Sequence, residues 1–370
     1  MRSSLLHLAA AAALSCSAGA AAATVPKAPA LPASAFVPTQ AKLLPFDDAK
    51  AGKDLVGLEF DTTHAIDLIS EGSAADLVSS ASAQSCAASP NMRFEWRSYS
   101  TRDRQALMVA IRCLMNRPPS GNFPPAANRY EDLVRLHQIN TPRVHGNAIF
   151  LLWHRYYVWT FEQVLRAECG FNRAFPWWDE TLDAGRFAQS TLFTQPYFGN
   201  LLPAQANGQG WCINSGAFGG ITLNVGPGQS NRAHCLTRAL NEQLTAQVSK
   251  AYVDLCNSRA TYVEMASCAE GGPHAYGHNG IGAVMSDVAA APNDPIFFMH
   301  HLFVDHGFRI WQNVRGATSV NGNGPDGRPL TLDTIIEMGG VRPNVPIRSI
   351  INTLGGVRIG TEIFCYRYNY

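Results

Sequence analysis

The spacing of apolar residues predicts a mainly helical protein. Four segments repeat apolar residues at intervals of three and four, namely 101–114, 130–139, 147–169 and 294–314. The segments 147–169 and 294–314 are apolar nearly all round, which predicts buried helices at the centre of the fold. Residues 195–228 are rich in Gly, Asn and Pro and therefore predict irregular loops. We expect a core of packed helices joined by long loops.

The N-terminal region predicts a secretion signal followed by a lead-in. Residues 1–23 combine a positive start at Arg2, an apolar run from Leu5 to Leu14 and an Ala-rich cleavage region. We therefore expect a signal peptide and a secreted, extracellular protein. Residues 24–85 form a second region, which begins with a proline-rich stretch that we expect to be extended and poorly ordered. Helical spacing resumes from Asp47 to Ser82, and residues 86–370 form the main domain.

Composition narrows the classes of protein further. The 29 Lys+Arg and 28 Asp+Glu residues give a net charge of +1 with no basic stripe, which argues against a nucleic-acid partner. The apolar run near the N-terminus is too short to span a membrane, and no protein partner is implied. Of nine cysteines, the eight outside the signal peptide suit up to four disulfides that hold the loops. Their pairing is left open.

The histidines carry the strongest chemical signal. Six of them form two similar triplets, His137, His145 and His154, and then His274, His278 and His301. A lone buried histidine would be ordinary core, but two triplets predict two metal ions, each bound by three imidazoles with open positions. A zinc hydrolase would need Glu after His274, where Ala275 stands. A non-haem iron site takes two histidines and one carboxylate, which would leave His301 redundant, so copper fits best. Two Cu(I) ions can supply the two electrons that reduce O2 to peroxide.

Two longer stretches resemble a known family. The stretch from His145 to Glu162 resembles the first copper motif of the tyrosinase, catechol oxidase and haemocyanin superfamily, and Asn293 to Gln312 resembles the second. The resemblance implies a tyrosinase-like fold, a four-helix bundle around a binuclear copper centre with short strands and disulfide-held loops. It also implies that the two triplets bind the first and second copper ions. The sequence ends soon after Tyr368, so we expect a short form without the C-terminal lid of longer relatives.

The same resemblance implies roles for residues around the coppers. Phe150 and Phe297 would wall the pocket, and Val288 takes the place of a gate residue. Ala275 stands where many hydroxylating members have Asn, and Asn279 could partly substitute for it. Glu264 and Glu270 are alternative candidates for the acid that holds an active-site water. Three further features are implied. His300 neighbours the ligand His301, and Asp305 is an acid one turn further along the same helix. Tyr366 and Tyr368 form a Tyr-x-Tyr motif that closes the domain, with Arg93 as its partner.

Two charged residues in the first motif, Arg155 and Glu162, are interpreted as a solvent-exposed helix face without a chemical role. Together the resemblance implies a secreted polyphenol oxidase that oxidises small phenolic substrates, o-diphenols and also o-aminophenols, to o-quinones and their analogues while O2 is reduced to water. Monophenol hydroxylation is less strongly implied because of Ala275. The alternative function is a haemocyanin-like protein that binds dioxygen without turnover.

Overall fold

A computed structural model describes residues 28–36, 43–53 and 83–369. Within these residues the α-helices are α1 (Phe46–Lys50), α2 (Ala83–Ala88), α3 (Thr101–Asn116), α4 (Arg129–Val144), α5 (Phe150–Cys169), α6 (Glu242–Thr245), α7 (Lys250–Asn257), α8 (Tyr262–Ala269), α9 (Ala275–Ile281) and α10 (Ile296–Arg315). The strands are β1 (Asn91–Glu95), β2 (Phe175–Trp177), β3 (Trp211–Cys212), β4 (Thr222–Leu223), β5 (His234–Cys235), β6 (Thr237–Arg238), β7 (Ile335–Ile336), β8 (Val345–Pro346), β9 (Val357–Ile359), β10 (Glu362–Phe364) and β11 (Tyr366–Tyr368).

Helices α4, α5, α9 and α10 form the central bundle. Every residue of α5 from Phe150 to Leu165 is buried, which confirms the prediction of a central helix. Asn128 begins α4, since its side chain accepts a hydrogen bond from the Glu131 amide. Gly170 ends α5 at a φ of 63°, a conformation that glycine adopts without strain. Phe161 and Phe298 stack with ring centroids 3.5 Å apart and join α5 to α10.

Small sheets lie at the edges of the bundle. The largest has the strand order β11-β1-β2, and both pairings are parallel. Arg93 of β1 is in register with Tyr368 on one side and with Phe175 on the other. The remaining sheets are two-stranded and antiparallel, and β3–β6 encloses β4–β5 in the chain. The segment 195–228, predicted as irregular, contains only the two-residue strands β3 and β4.

All eight cysteines of the main domain are paired, as their even number predicts. The disulfides are Cys86–Cys365, Cys113–Cys169, Cys212–Cys235 and Cys256–Cys268. The expectation that disulfides hold loops is correct for Cys212–Cys235. Cys113–Cys169 instead joins α3 to α5, and Cys256–Cys268 joins α7 to α8, so two of the disulfides connect neighbouring helices.

The proline-rich lead-in is better packed than expected. Leu31 and Phe36 are buried, and the Pro29 carbonyl accepts a hydrogen bond from the Cys235 amide. The Leu44 amide donates to the carbonyl of Gly271. The prediction of a poorly ordered stretch is therefore wrong for 28–36 and 43–45, because the chain between the prolines offers apolar side chains and backbone groups to the bundle.

Two predictions from this region stay untested. The predicted signal peptide and most of the predicted helical stretch, 54–82, lie outside the described residues; α1 is the part of that stretch that is described. In the part of the chain that the structure describes, no helix is both long and apolar enough to cross a bilayer.

Candidate metal centre

The bundle brings the six predicted histidines together in two buried clusters. His137 lies on α4, His145 directly follows α4, and His154 lies on α5. His274 ends a π-helical turn, Glu270–His274, that runs into α9, and it lies one turn before His278. The last histidine of the six lies on α10. In each cluster the ring nitrogens lie within 4.8 Å of one another, so each cluster could hold a metal ion.

Backbone carbonyls set the tautomer of five of these rings. The Nδ1 atoms of His137, His145 and His154 lie 3.0, 3.1 and 2.9 Å from the carbonyl oxygens of Ala289, Thr141 and Phe150. In the second cluster the acceptors are the carbonyls of Glu270 for His274 and Met285 for His278. A carbonyl can only accept, so these Nδ1 atoms carry the proton and Nε2 presents a lone pair.

The Nε2 atoms meet in a way that calls for a cation. His154 Nε2 lies 3.3 Å from His137 Nε2, and His278 Nε2 lies 3.1 Å from His301 Nε2. In the first cluster both Nε2 atoms present lone pairs, and two lone pairs at this distance repel each other unless a positive ion lies between them. Two imidazoles that bind one tetrahedral ion at about 2.0–2.1 Å place their nitrogens about 3.3 Å apart. The donor sets therefore fit metal binding, and all-imidazole sets suit copper.

Burial keeps the histidines in the neutral form that binds metal. Burial lowers the pKa of His145 to about 4. Burial, followed by the mutual repulsion of neighbouring imidazolium charges, lowers the pKa of His137, His154 and His274 well below the ordinary value. All these rings are neutral near pH 7, so they need not lose a proton to bind a metal.

The two clusters lie next to each other, and aromatic rings pack against both. The rings of His154 and His301 stack with centroids 4.4 Å apart, which brings the two sites into contact. Phe150 lies 4.7 Å from both His154 and His274, and Phe297 lies 4.0 Å from His301. Sequence analysis assigned both phenylalanines to the pocket wall, and both rings lie directly on the histidines.

The sequence of this chain is similar to proteins of one known family. Residues 127–314, half of the chain, match the family model of the common central domain of tyrosinase. The chain belongs to the tyrosinase family. Tyrosinase P of Aspergillus terreus is 28% identical over 335 residues, which cover 76% of this chain and 92% of that relative. Members of this family bind two copper ions, and the two histidine clusters fit that requirement.

A second relative and a solved structure are also similar to this chain. A protein named N-acetyl-6-hydroxytryptophan oxidase from Emericella nidulans is 26% identical over 373 residues, covering 82% of this chain and all of that relative. The structure of a polyphenol oxidase mutant from Thermothelomyces thermophila superimposes with a TM-score of 0.66 at 25% identity, and covers 75% of this chain and 88% of that one. The tyrosinase-like fold and oxidoreductase class expected from the sequence are confirmed.

The two candidate acids occupy different environments in this tyrosinase fold. Glu264 lies in the first turn of α8, where it forms a capping box with Thr261. A hydrogen bond from the Thr261 backbone lowers the pKa of Glu264, and the residue is partly exposed. Glu270 is buried, and its Oε1 accepts a hydrogen bond from the Gly146 amide, next to His145. Burial raises the pKa of Glu270 to about 8. Glu270 therefore contacts the residue next to His145, whereas the hydrogen bonds of Glu264 close the first turn of α8.

The predicted gate and rim residues lie on two sides of the centre. Val288 is buried and precedes Ala289, whose carbonyl orients His137. Ala275 is fully buried, and the Asn279 amide donates to its carbonyl at 2.8 Å. An open groove of about 530 Å³ adjoins the second cluster on this side. Its lining includes Asn279, which follows His278, and residues of three other segments, namely Pro203, Ala204, Gln243, Ala283 and Ser286.

Asp305 is the hub of a buried charge network. Its Oδ1 accepts from Arg155 Nε at 2.6 Å, and its Oδ2 accepts from the hydroxyls of Tyr366 and Tyr368, each at 2.6 Å. Arg93 lies 3.5 Å from the same carboxylate and stacks on Tyr366, with its guanidinium carbon 3.5 Å from the ring centroid. The arginine predicted to partner the Tyr-x-Tyr motif therefore lies against it.

The interpretation of Arg155 and Glu162 as a solvent-exposed helix face is wrong. Both are buried, and Glu162 binds Arg93 at 3.0 Å. A helix that is apolar nearly all round has no face in water, so its few charged residues must find partners inside the protein. That signal was present in the sequence and could have identified them.

His300 contacts the second cluster without joining it. Its Nε2 lies 3.1 Å from the His274 carbonyl, and its Nδ1 lies 2.7 Å from Glu180 Oε1. Both ring nitrogens are engaged, so His300 has no lone pair to offer a metal, although it lies close enough to be counted with the cluster. Sequence analysis missed Glu180. A buried histidine beside a ligand needs partners for two nitrogens, and that requirement was the available signal.

Proposed function

We propose that this tyrosinase-family oxidase converts o-diphenols to o-quinones at a binuclear copper centre held by the two histidine triplets. The observation that carries the proposal is the pair of buried triplets with Nε2 atoms facing one another at 3.1 and 3.3 Å. The chemistry that bound copper supplies is two-electron exchange, in which two o-diphenols are oxidised to o-quinones for each O2 reduced to two waters. His137, His145 and His154 would bind the first ion, and the second triplet the other.

The protein's own residues orient the ligands and keep bulk water away. Carbonyl acceptors fix five of the six ring orientations, so the donor set is rigid before any metal enters. Phe150 and Phe297 cover the histidine rings with apolar surface, and none of the six imidazoles is more than 6% exposed. A dry, pre-formed site of this kind favours exchange of electrons with a bound substrate over side reactions with water.

The rim supports diphenol oxidation over monophenol hydroxylation. A monophenol must lose its proton to become a good ligand, which calls for polar groups that hold a basic water. Ala275 offers only a methyl group, and the Asn279 amide is engaged by the Ala275 carbonyl. Glu270 Oε1 already accepts a hydrogen bond from the Gly146 amide, and burial raises the pKa of this carboxyl group in the metal-free protein. An o-diphenol, with two adjacent hydroxyls, can chelate without this help.

The groove beside Asn279 is proposed as the approach for the substrate. It reaches the segment that carries His278, and Ser286 in its lining follows Met285, whose carbonyl orients that histidine. Its volume of about 530 Å³ falls within the usual range for small-molecule sites. The lining combines apolar residues such as Pro203 and Ala204 with polar ones such as Asn279, and it has one acid, Glu242, whose carboxylate accepts hydrogen bonds from neighbouring groups. A lining of this kind suits a phenol with a substituent.

Secretion is part of the proposal. It is supported by the signal-like residues 1–23 and by four disulfides, which persist in oxidising compartments and are rare in the cytosol.

The proposal is tested by measuring copper content and oxygen uptake on one preparation. We expect two copper ions per chain and rapid uptake with 4-methylcatechol, slow or absent uptake with 4-methylphenol. An o-aminophenol and a 6-hydroxyindole, the latter suggested by the name of one relative, complete the panel. His301→Ala serves as the inactive control. A copper-loaded protein that binds O2 reversibly without forming quinone would instead support the dioxygen carrier, and one that binds no copper would overturn the proposal.

A further inference from the structure

Glu180 and His300 form a buried pair that nothing in the proposed chemistry uses. Both side chains are completely shielded from water, and His300 Nδ1 lies 2.7 Å from Glu180 Oε1. Glu180 reaches this position from a short 3-10 helix, Glu180–Leu182, which follows β2, whereas His300 lies on α10. A carboxyl group buried this deeply is costly unless it has a hydrogen-bond partner in a fixed position, and His300 is that partner.

The pair is connected to the second triplet through the other nitrogen of His300. Nε2 lies 3.1 Å from the His274 carbonyl, and since a carbonyl only accepts, Nε2 carries a proton. The ring of His300 also lies against the two candidate ligands of this segment. Its centroid lies 5.5 Å from that of His274 and 4.6 Å from that of His278. One side chain thus holds the segment on which two candidate ligands lie.

The pair packs on an irregular part of that segment. It begins with a π-helical turn in which Gly272 has non-helical angles (φ −95°, ψ −117°) and Pro273 offers no amide proton. Gly277 packs so closely on the pair that an added Cβ would lie 2.4 Å from His300 Cε1 and 3.0 Å from Glu180 Oε2. The pair therefore fits tightly against the turn of α9 that separates His274 from His278.

We infer that Glu180 is a positioning residue of the second half-site, which orients His300 so that His300 fixes the His274 backbone and holds the second triplet ready for copper. The inference rests on the copper site proposed above. Glu180 itself contacts no candidate ligand; it acts through His300.

The test compares four variants by copper retention. Glu180→Leu removes the hydrogen bond, and Glu180→Gln can keep one by donating its amide to Nδ1. Asp183→Asn is the matched control: Asp183 lies directly after the same short helix, and its carboxylate binds Trp178 and Arg97, which lie outside the triplets. The double variant Glu180→Leu/His300→Leu replaces both polar partners, so it leaves neither of the two buried and unpaired and should fold even where the single variant does not.

Each purified copper-loaded variant is equilibrated with rising concentrations of a copper chelator, and the metal that remains is counted. We expect Glu180→Leu and the double variant to release one of the two ions at about 10-fold lower chelator, in line with the cost of removing groups that orient ligands. Glu180→Gln and Asp183→Asn should follow the wild type, and the thermal midpoint of the metal-free double variant should stay close to that of the wild type.

Three outcomes would overturn the inference: both ions held at the wild-type midpoint in the double variant, equal loss in Asp183→Asn, or no rescue by Gln. A wild-type protein that binds no copper would instead refute the proposed function, so the two failures can be told apart.

Discussion

Replacing Asp305 tests whether the charge network behind the copper site stabilises the fold. Asp305→Asn keeps the shape of the side chain but removes the charge that faces two buried arginines. Arg155 is completely buried, and its Nε donates to Asp305 at 2.6 Å. An asparagine amide in place of Oδ1 would face the guanidinium donor to donor. If the side chain turned over, the amide would face the two tyrosine hydroxyls, which both donate to Oδ2 in the wild type.

The size of the effect follows from the burial of the partners. Removing one member of a buried ion pair costs about 3–5 kcal/mol, since it leaves a charge without a counter-ion. Arg93 keeps Glu162 at 3.0 Å, so the loss falls mainly on Arg155 and we expect the lower part of that range. In a domain of this size, 3 kcal/mol lowers the thermal midpoint by about 5 °C.

The sign of the pH dependence can be stated as well. Burial acts to raise the pKa of Asp305, but the opposing attraction of Arg155 and Arg93 prevails and holds the pKa below its ordinary value. The carboxylate therefore contributes stability above about pH 4, and the contribution is lost as pH falls through the lowered pKa. The difference in the free energy of unfolding between wild type and Asp305→Asn should be constant from pH 5 to pH 8.

Urea unfolding of the metal-free proteins measures this difference. Asp254→Asn is the control, because Asp254 pairs with Lys250 on the surface, where the side chains are 58% and 76% exposed. We expect a change within about 0.5 kcal/mol for this exposed pair. Equal losses in the two variants, or a loss below 1 kcal/mol for Asp305→Asn, would refute the argument that the buried network stabilises the bundle.

Three further outcomes are expected. His154→Ala should lower the copper content and abolish oxygen uptake, whereas His234→Ala, a buried histidine outside both triplets, should retain two copper ions; uptake by the first variant would contradict the binuclear mechanism. Val288→Phe should fold and bind copper but lose kcat/KM for 4-tert-butylcatechol more than for catechol, because extra carbon in the wall affects ring substituents first; equal changes would exclude a gate at this position. Burial raises the pKa of Asp287 from 3.8 to about 6, so the fold binds an extra proton between these values and loses stability as pH rises. Asp287→Asn should therefore gain about 3 kcal/mol relative to wild type between pH 4 and pH 7 in urea unfolding, and a pH-independent difference would contradict the shift.

The sequence predicted the part of the centre that is encoded locally. His274 and His278 are separated by four residues, so a helix places them on one side, and their ring centroids lie 4.6 Å apart. His154 and His301 lie in helices that are apolar nearly all round, which forces both to the middle of the bundle. These positions depend on helical periodicity and burial, and both are visible in the order of residues.

Contacts between distant segments could not be predicted in the same way. Glu180 meets His300 across 120 residues, and nothing in the short 3-10 helix that carries Glu180 indicates this partner. The lead-in was misjudged because proline predicts loss of helix and sheet but not loss of packing; Phe36 is nonetheless buried and lies against His234. Such pairings depend on how the loops return to the bundle, which periodicity does not encode.

The parallel pairing of β1 with β11 has a consequence for biosynthesis. Arg93 and Tyr368 are 275 residues apart, and at about 5–20 residues per second a ribosome needs roughly 14–55 s to make the chain between them. All six histidines exist once residue 301 has been made, but the tyrosines that bind Asp305 follow that aspartate by 61 and 63 residues. Throughout that interval Asp305 of α10, Arg155 of α5 and Arg93 of β1 are present, but the two tyrosine hydroxyls that complete their network are not. We expect firm closure of the bundle, and with it lasting retention of copper, to come only after the last strand has been synthesised.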